Sequence, residues 1–305
     1  MDTVETLNDR FAIPLKLHFK PIGDGLNNLI VADITNAHGT ASLCLQGGHL
    51  LSWQPVSTAE PVVWMSPAAT FAPNASIRGG IPICWPWFGA HGSESSFPAH
   101  GFVRTQPWQV TGSRSLEDGS TEIALSYLPI EATRQYWPHA SRLDLLVNVG
   151  ASLKIAFITR NLGASDFTVT EALHTYFNVG DVSQVQVDGL DGVHFHDKAA
   201  GWMQGDQIGP IGFAAEVDRV YINSADRCTI LDPALQRRIH IAKLGSQSTV
   251  VWNPWAARAA QMGDLGTEGW KGFVCVESGN ALENAVTVAA GQSHTLAVEY
   301  RVEAA

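Results

Sequence analysis

Hydrophobic residues in this chain recur mostly at a spacing of two. In "ASLCLQGGHLLSW", Ala41, Leu43 and Leu45 alternate with small or polar neighbours, the mark of a half-buried strand. "RLDLLVNVGASLKIAFITRNLG" (142–163) reads as two strands that turn near Gly150 and Ala151. "TVTEALHTYFNV" (168–179) and "HTLAVEYRV" (294–302), rich in Thr, Val, Tyr and Phe, also read as extended. Gly and Pro interrupt the chain at short intervals, as a many-stranded sandwich requires. Helical spacing is scarce. The best helical segment is short, near "PWAARAAQMGDL" (254–265), where Pro254 fits a first turn. Strands spread from about residue 15 to 302, with no fixed-period repeat and no long polar linker. The predicted fold class is all-β: a single domain over residues 1–305, built as a large antiparallel β-sandwich with sheets packed face to face. Loops at one edge, or a concave sheet face, would carry function.

Composition narrows the partners. The 305 residues carry a net charge of −10, and 45% are hydrophobic. That balance argues against nucleic acid, whose binders show a basic surface, so any anion site must be local. The start "MDTVETLNDRFAIPLKL" has no secretory pattern, and no run approaches the ~20 apolar residues of a membrane helix. Cys44, Cys84, Cys228 and Cys275 lie far apart and form no CxxC pair, which fits reduced buried thiols. A cytoplasmic, soluble protein is expected, with no membrane partner.

Four stretches gather polar groups: "IRGGIPICWPWFG" (77–89), "AHGFVR" (99–104), "TEALHTYFNVG" (170–180) and "GWKGFVCVESGNA" (269–281). In an alternating strand His174 shares a face with Ala172 and Tyr176. A lone strand histidine is more often structural than catalytic. Glu277 ends the apolar run "FVCV", so it is either a paired structural carboxylate or one with a tuned pKa. Arg78 and Arg104 sit beside glycine or proline turns, and their planar forks suit phosphate or carboxylate; salt bridges to structural acids are the equal alternative. Trp85, Trp87, Phe88 and Trp108 are aromatics that could stack on a sugar, against a default of core packing. Other chemistries fare worse. There is no GxxxxGK[ST] loop, no GxSxG elbow, and no triad signature around Ser52, Ser66 or Ser278. His194, His196 and Asp197 in "GVHFHD" read as a solvated strand face rather than a metal site.

Taken together, "IRGGIPICWPWFG", "PAHGFVR", "EALHTYFNVG", "VVWNPW" and "GFVCVESGNA" resemble, in order, the hexose-6-phosphate mutarotases, or glucose-6-phosphate 1-epimerases, relatives of the aldose 1-epimerases. The motifs span residues 43 to 302. The resemblance implies a β-sandwich of the galactose-mutarotase type and an isomerase that interconverts the α and β anomers of a hexose 6-phosphate. It implies His174 as the acid, Glu277 as the base and His100 as a sugar-binding residue. Arg78 and Arg104 become the phosphate contacts, and Asp218, through the shorter stretch "EVDRVY", a further substrate-binding acid. Gln54 follows "LSW" where relatives often carry lysine, so no further cation is expected there. One acid and one base suffice for ring opening, so neither cofactor nor metal is implied. The partner is a small-molecule sugar phosphate and the protein a monomer. The competing readings are an aldose 1-epimerase acting on unphosphorylated sugars and a non-catalytic carbohydrate-binding sandwich.

Overall fold

A computed structural model describes residues 2–23, 28–225 and 227–305. Among these residues two large antiparallel sheets lie back to back. The first runs through nine strands in the order 211–212, 186–188, 228–232, 237–244, 293–304, 153–161, 141–149, 121–127 and 109–115. The second runs 203–206, 194–197, 217–222, 248–253 and 273–280. Beyond 273–280 it continues with the short pieces 171–173 and 176–178, and then with 83–84. Strands 17–22, 29–36, 39–44 and 49–55 form a separate four-stranded sheet. The all-β class and the antiparallel sandwich read from the spacing of apolar residues are the architecture observed. The strand pair expected at 142–163 is present as Ser141–Val149 and Leu153–Asn161, turning over residues 150–152.

The alternation of strand 273–280 explains how the sheets meet. Val274 and Val276 join the main apolar core with Leu173, Phe157, Leu145 and Tyr300, whereas Cys275 belongs to a separate cluster on the opposite face. Burying a side chain of this size contributes about 1.5–3 kcal/mol, so one face of the strand holds the sandwich together. The other face is left for Cys275 and Glu277. Thr175 marks the boundary: its hydroxyl lies 2.7 Å from that of Tyr300, across the sheets.

Helix is as scarce as expected, with two differences. The segment near 254–265 is helical only over Trp255–Ala259, with Pro254 just before it. A second helix, Val4–Phe11, was not expected. Thr3 caps it, accepting from the Thr6 N–H, and buried Leu7 joins the core. Asn8 fixes it to the neighbouring strand by pairing with both the N–H and the C=O of Phe19. Strand 168–179 also differs from a continuous extension. It breaks at Thr170, whose N–H donates to the Pro86 carbonyl, and at His174, whose N–H donates to that of Pro82. Residues 167–169 leave the large sheet to pair with 286–288.

Candidate active site

The two interruptions set a histidine against a glutamate. Leu173 pairs with Ser278 and Tyr176 with Cys275, in one register on either side of the break. His174 therefore stands across from Glu277, on the face turned away from the nine-stranded sheet. His174 Nε2 lies 3.4 Å from Glu277 Oε1. Both side chains are buried, Glu277 to 1% exposure. The remaining atoms, His174 Nδ1 and Glu277 Oε2, have no protein partner. Such groups are uncommon in folded proteins and point to a function.

Electrostatics push this pair toward its uncharged forms. Burial, followed by the Asp218 carboxylate, raises the pKa of Glu277 well above the ordinary carboxylate value; Lys198 opposes the shift. Burial, followed by His100, Arg78 and Arg104, lowers His174 well below the ordinary histidine value. Burial leads in both cases. Both shifts favour the uncharged carboxyl and imidazole.

Tyr176 and Trp252 complete the surroundings of the imidazole. As the spacing of two predicts, Tyr176 shares the face of His174: the rings stack at 4.9 Å with planes 10° apart. Trp252 meets both rings edge-on at 5.9 and 6.0 Å. Its strand lies between those of Asp218 and Cys275, with Asp218 paired to Trp252 and Trp252 to Cys275. Asp218 is thereby carried onto the same face as Glu277.

His100 comes from the loop that crosses this face. It has φ +65°, and Gly101 after it has φ +73°. A Cβ on Gly101 would fall 1.8 Å from the Trp85 carbonyl oxygen, so only glycine permits this approach. The Gly89 N–H donates to His100 Nδ1 at 3.3 Å, which leaves the ring proton on Nε2. The ring centroid is 5.5 Å from that of His174. Burial, then Arg104, Lys198 and Arg78, push the pKa of His100 down to about 3. It is a neutral imidazole with one N–H to offer.

The two arginines differ. Arg78 Nε donates to Asp264 Oδ2 at 3.1 Å, and its Nη1 to the Tyr176 hydroxyl at 2.9 Å. The turn that follows is held by buried His49, whose Nε2 lies 2.8 Å from the Gly79 carbonyl. A Cβ on Gly80 would meet that nitrogen at 2.4 Å, and one on Gly79 the Trp64 carbonyl oxygen at 2.7 Å, which together account for the paired glycines of "RGG". Arg104 is less committed: its Nη2 donates to the Ala99 carbonyl at 2.8 Å, bracing the loop that carries His100.

All six residues singled out in the sequence thus bear on one region. His174 and Glu277 are in contact, His100 packs beside His174, and Arg78, Arg104 and Asp218 act on the pair by charge. Two further residues, Trp252 and Lys198, escaped sequence reasoning, and Tyr176 was placed on the His174 face without a role. Tyr176 and Trp252 stood inside quoted motifs, and their place in alternating strands was the available signal. Lys198 sits in a hairpin turn with no motif of its own. Core packing, the default for these aromatics, holds for the three tryptophans. Trp85 and Trp108 are buried in the core and Trp87 nearly so, leaving Phe88, edge-on to His100 at 5.0 Å. Gln54 is tied to the carbonyls of Thr58 and Ala59 in its own hairpin.

Among the described residues one group could ligate a metal: His174, Cys275 and Glu277, whose donor atoms lie within 4.8 Å of one another. The pair His194 and His196 is separately engaged, with Asp206 at 2.8 Å and Glu283 at 3.2 Å, and Asp197 holds Arg219. The four cysteines are buried. No helix is long and apolar enough to cross a membrane among the described residues. Cavities of about 490 and 510 Å³ lie elsewhere, and neither brings a histidine against a carboxylate.

Comparison with known proteins gives the family. Residues 31–301 match the family model described as aldose 1-epimerase. A relative from Escherichia coli, named "Putative glucose-6-phosphate 1-epimerase", is 38% identical over 278 residues, covering 90% of this chain and 91% of its own. One of the same name from Salmonella typhimurium is 37% identical over 275 residues, covering 89% and 91%. The crystal structure of "a putative mutarotase (YeaD) from Salmonella typhimurium" superimposes with a TM-score of 0.88 at 34% identity, covering 97% of this chain and 96% of that one. Matched by the model over residues 31–301 and by relatives along 91% of their own length, this chain belongs to the aldose 1-epimerase family.

Proposed function

We propose that this chain, acting as one domain, interconverts the α and β anomers of a hexose 6-phosphate, glucose 6-phosphate first among them. The buried contact between His174 and Glu277 carries the reading. Glu277, as carboxylate, takes the proton of the C1 hydroxyl. The O–H electron pair becomes the carbonyl π bond, and the C1–O5 bond breaks. Its electron pair stays on O5, which takes a proton from imidazolium His174. One proton enters the pair and one leaves, so the proton count is unchanged. Rotation about C1–C2 presents the other carbonyl face, and closure with the roles reversed gives the other anomer. General acid–base groups of this kind contribute ~10²–10⁴ in rate.

His100 supplies its Nε2–H to a sugar hydroxyl, and Asp218 accepts from another. Arg78 and Arg104 hold the 6-phosphate. Their positive charges disfavour imidazolium at His174. A phosphate dianion bound between them offsets that effect, so the substrate itself brings the acid toward its proton-donating form. The ion pair of Arg78 with Asp264 favours a second reading, an epimerase of unphosphorylated aldoses, because Arg78 already has a carboxylate partner.

Polarimetry on freshly dissolved α-anomers separates the two. Faster equilibration of glucose 6-phosphate than of glucose supports the phosphate reading. Equal rates leave a general aldose mutarotase, and a rate no faster than buffer for every sugar removes both.

A further inference from the structure

Lys198 opens the turn between strands 194–197 and 203–206. It is fixed at two points on one residue. Its backbone N–H donates to the Asp218 carbonyl at 2.8 Å, and its Nζ lies 3.2 Å from Asp218 Oδ2. Asp218 is 16% exposed and Lys198 47%. A half-exposed pair of this kind contributes little to stability, so its place on the face that carries Glu277 asks for another account. We infer that Lys198 is a positioning residue for the proton transfer. It holds the Asp218 carboxylate toward the sugar and supplies the positive charge that lets Glu277 act as an anion beside it. The inference rests on the mutarotase reading of the site.

The groups around Glu277 show why a cation is needed there. Cys275 lies on its own strand, and His174 and Tyr176 on the adjoining one. Cys84 comes from the strand beyond, Tyr300 from the sheet behind, and Asp218 and Lys198 from the hairpin side. Burial keeps both cysteines and both tyrosines protonated through neutral pH. Arg78 acts on His100, His174, Tyr176 and Cys275, and Arg104 on His100, His174 and Cys84. Asp218 resists ionisation of Glu277, and Lys198 is the cation that favours it. Without Lys198, the repulsion between the two carboxylates on this face loses the cation that offsets it.

The test is the pH dependence of kcat/KM for glucose 6-phosphate in Lys198→Met, Lys198→Arg, Asp218→Asn and the Lys198→Met/Asp218→Asn double variant. The acidic limb should move to higher pH in Lys198→Met. A move of one pH unit corresponds to about a tenfold loss below the limb that fades above it. Lys198→Arg should return the limb to its wild-type position, and the double variant should move it back, because the opposing carboxylate is gone. A loss in Lys198→Met that is uniform across pH, or no loss, overturns the inference. Titration of the ¹³C-labelled Glu277 carboxyl, identified by its disappearance in Glu277→Gln, reads the same coupling without any sugar. A shift there with no sugar turned over preserves the role of Lys198 and removes the mutarotase reading; no shift removes the role of Lys198 whatever the activity.

Discussion

Replacing either arginine by alanine should separate substrate grip from scaffold. Arg104 spends one N–H on the Ala99 carbonyl, so four of its five donors remain for a ligand. Arg78 spends two, on Asp264 and Tyr176, so three remain. A charge-assisted hydrogen bond contributes about 1.5–3 kcal/mol, and each 1.4 kcal/mol is about tenfold. Either substitution should therefore lower kcat/KM for glucose 6-phosphate by about 10- to 100-fold. Slow turnover of unphosphorylated glucose should change much less, since that sugar has no dianion to lose.

Stability should distinguish the two variants. Arg78→Ala strands the Tyr176 hydroxyl, on a residue 2% exposed, which costs about 1–3 kcal/mol. It also frees Asp264, whose side chain is 44% exposed and readily hydrated. At roughly 2 °C per kcal/mol for a chain of this size, Tm should fall by about 2–6 °C. Arg104→Ala should leave Tm within about a degree, because the carbonyl it abandons lies on an exposed residue. Polarimetry on both sugars, beside melting curves, supplies all six numbers. Equal losses on glucose and glucose 6-phosphate would refute the phosphate assignment and leave two structural arginines.

Glu277→Gln should lower kcat by ~10²–10⁴; a folded variant that keeps more than about a tenth of wild-type turnover excludes Glu277 as the base. The same variant should flatten the stability profile. Below the ordinary carboxylate range Glu277 is protonated both folded and unfolded. As pH rises the unfolded chain ionises first, so the wild type loses stability up to the raised folded pKa, and glutamine does not. A Tm difference between the two proteins that stays constant from pH 4 to 8 would count against that burial effect. His174→Asn should lose rate by a similar order, with near-normal activity in a folded variant ruling it out as the acid. EDTA should leave wild-type activity unchanged, and activity lost to chelation and restored by Zn²⁺ would instead make ligands of His174, Cys275 and Glu277.

Much of the sandwich could be read from spacing because period two, repeated over strands such as 142–149 and 294–302, has few other solutions. Glu277 was legible as a carboxylate closing an apolar strand, and the shared face of His174 and Tyr176 followed from alternation. What spacing could not show was register. That His174 stands across from Glu277 depends on the Leu173–Ser278 and Tyr176–Cys275 pairings, set by contacts a hundred residues apart in sequence. The break at His174 was hidden because its partner, the Pro82 carbonyl, lies on another segment. Lys198 was invisible for the same reason: its meaning comes from Asp218, twenty residues on. The tryptophans followed their default, because size and burial weigh more than stacking potential for most of them.

Strand 273–280 serves two trades at alternate positions. Val274 and Val276 answer to the packing of the sandwich, and Cys275 and Glu277 to whatever occupies the opposite face. Changes in the second set can alter chemistry while the first keeps the architecture intact. Drift in substrate preference can then proceed one residue at a time without the protein first having to learn a new fold. The same interleaving makes the strand intolerant of a one-residue slip, which would send the carboxylate into the oil and a valine into the site.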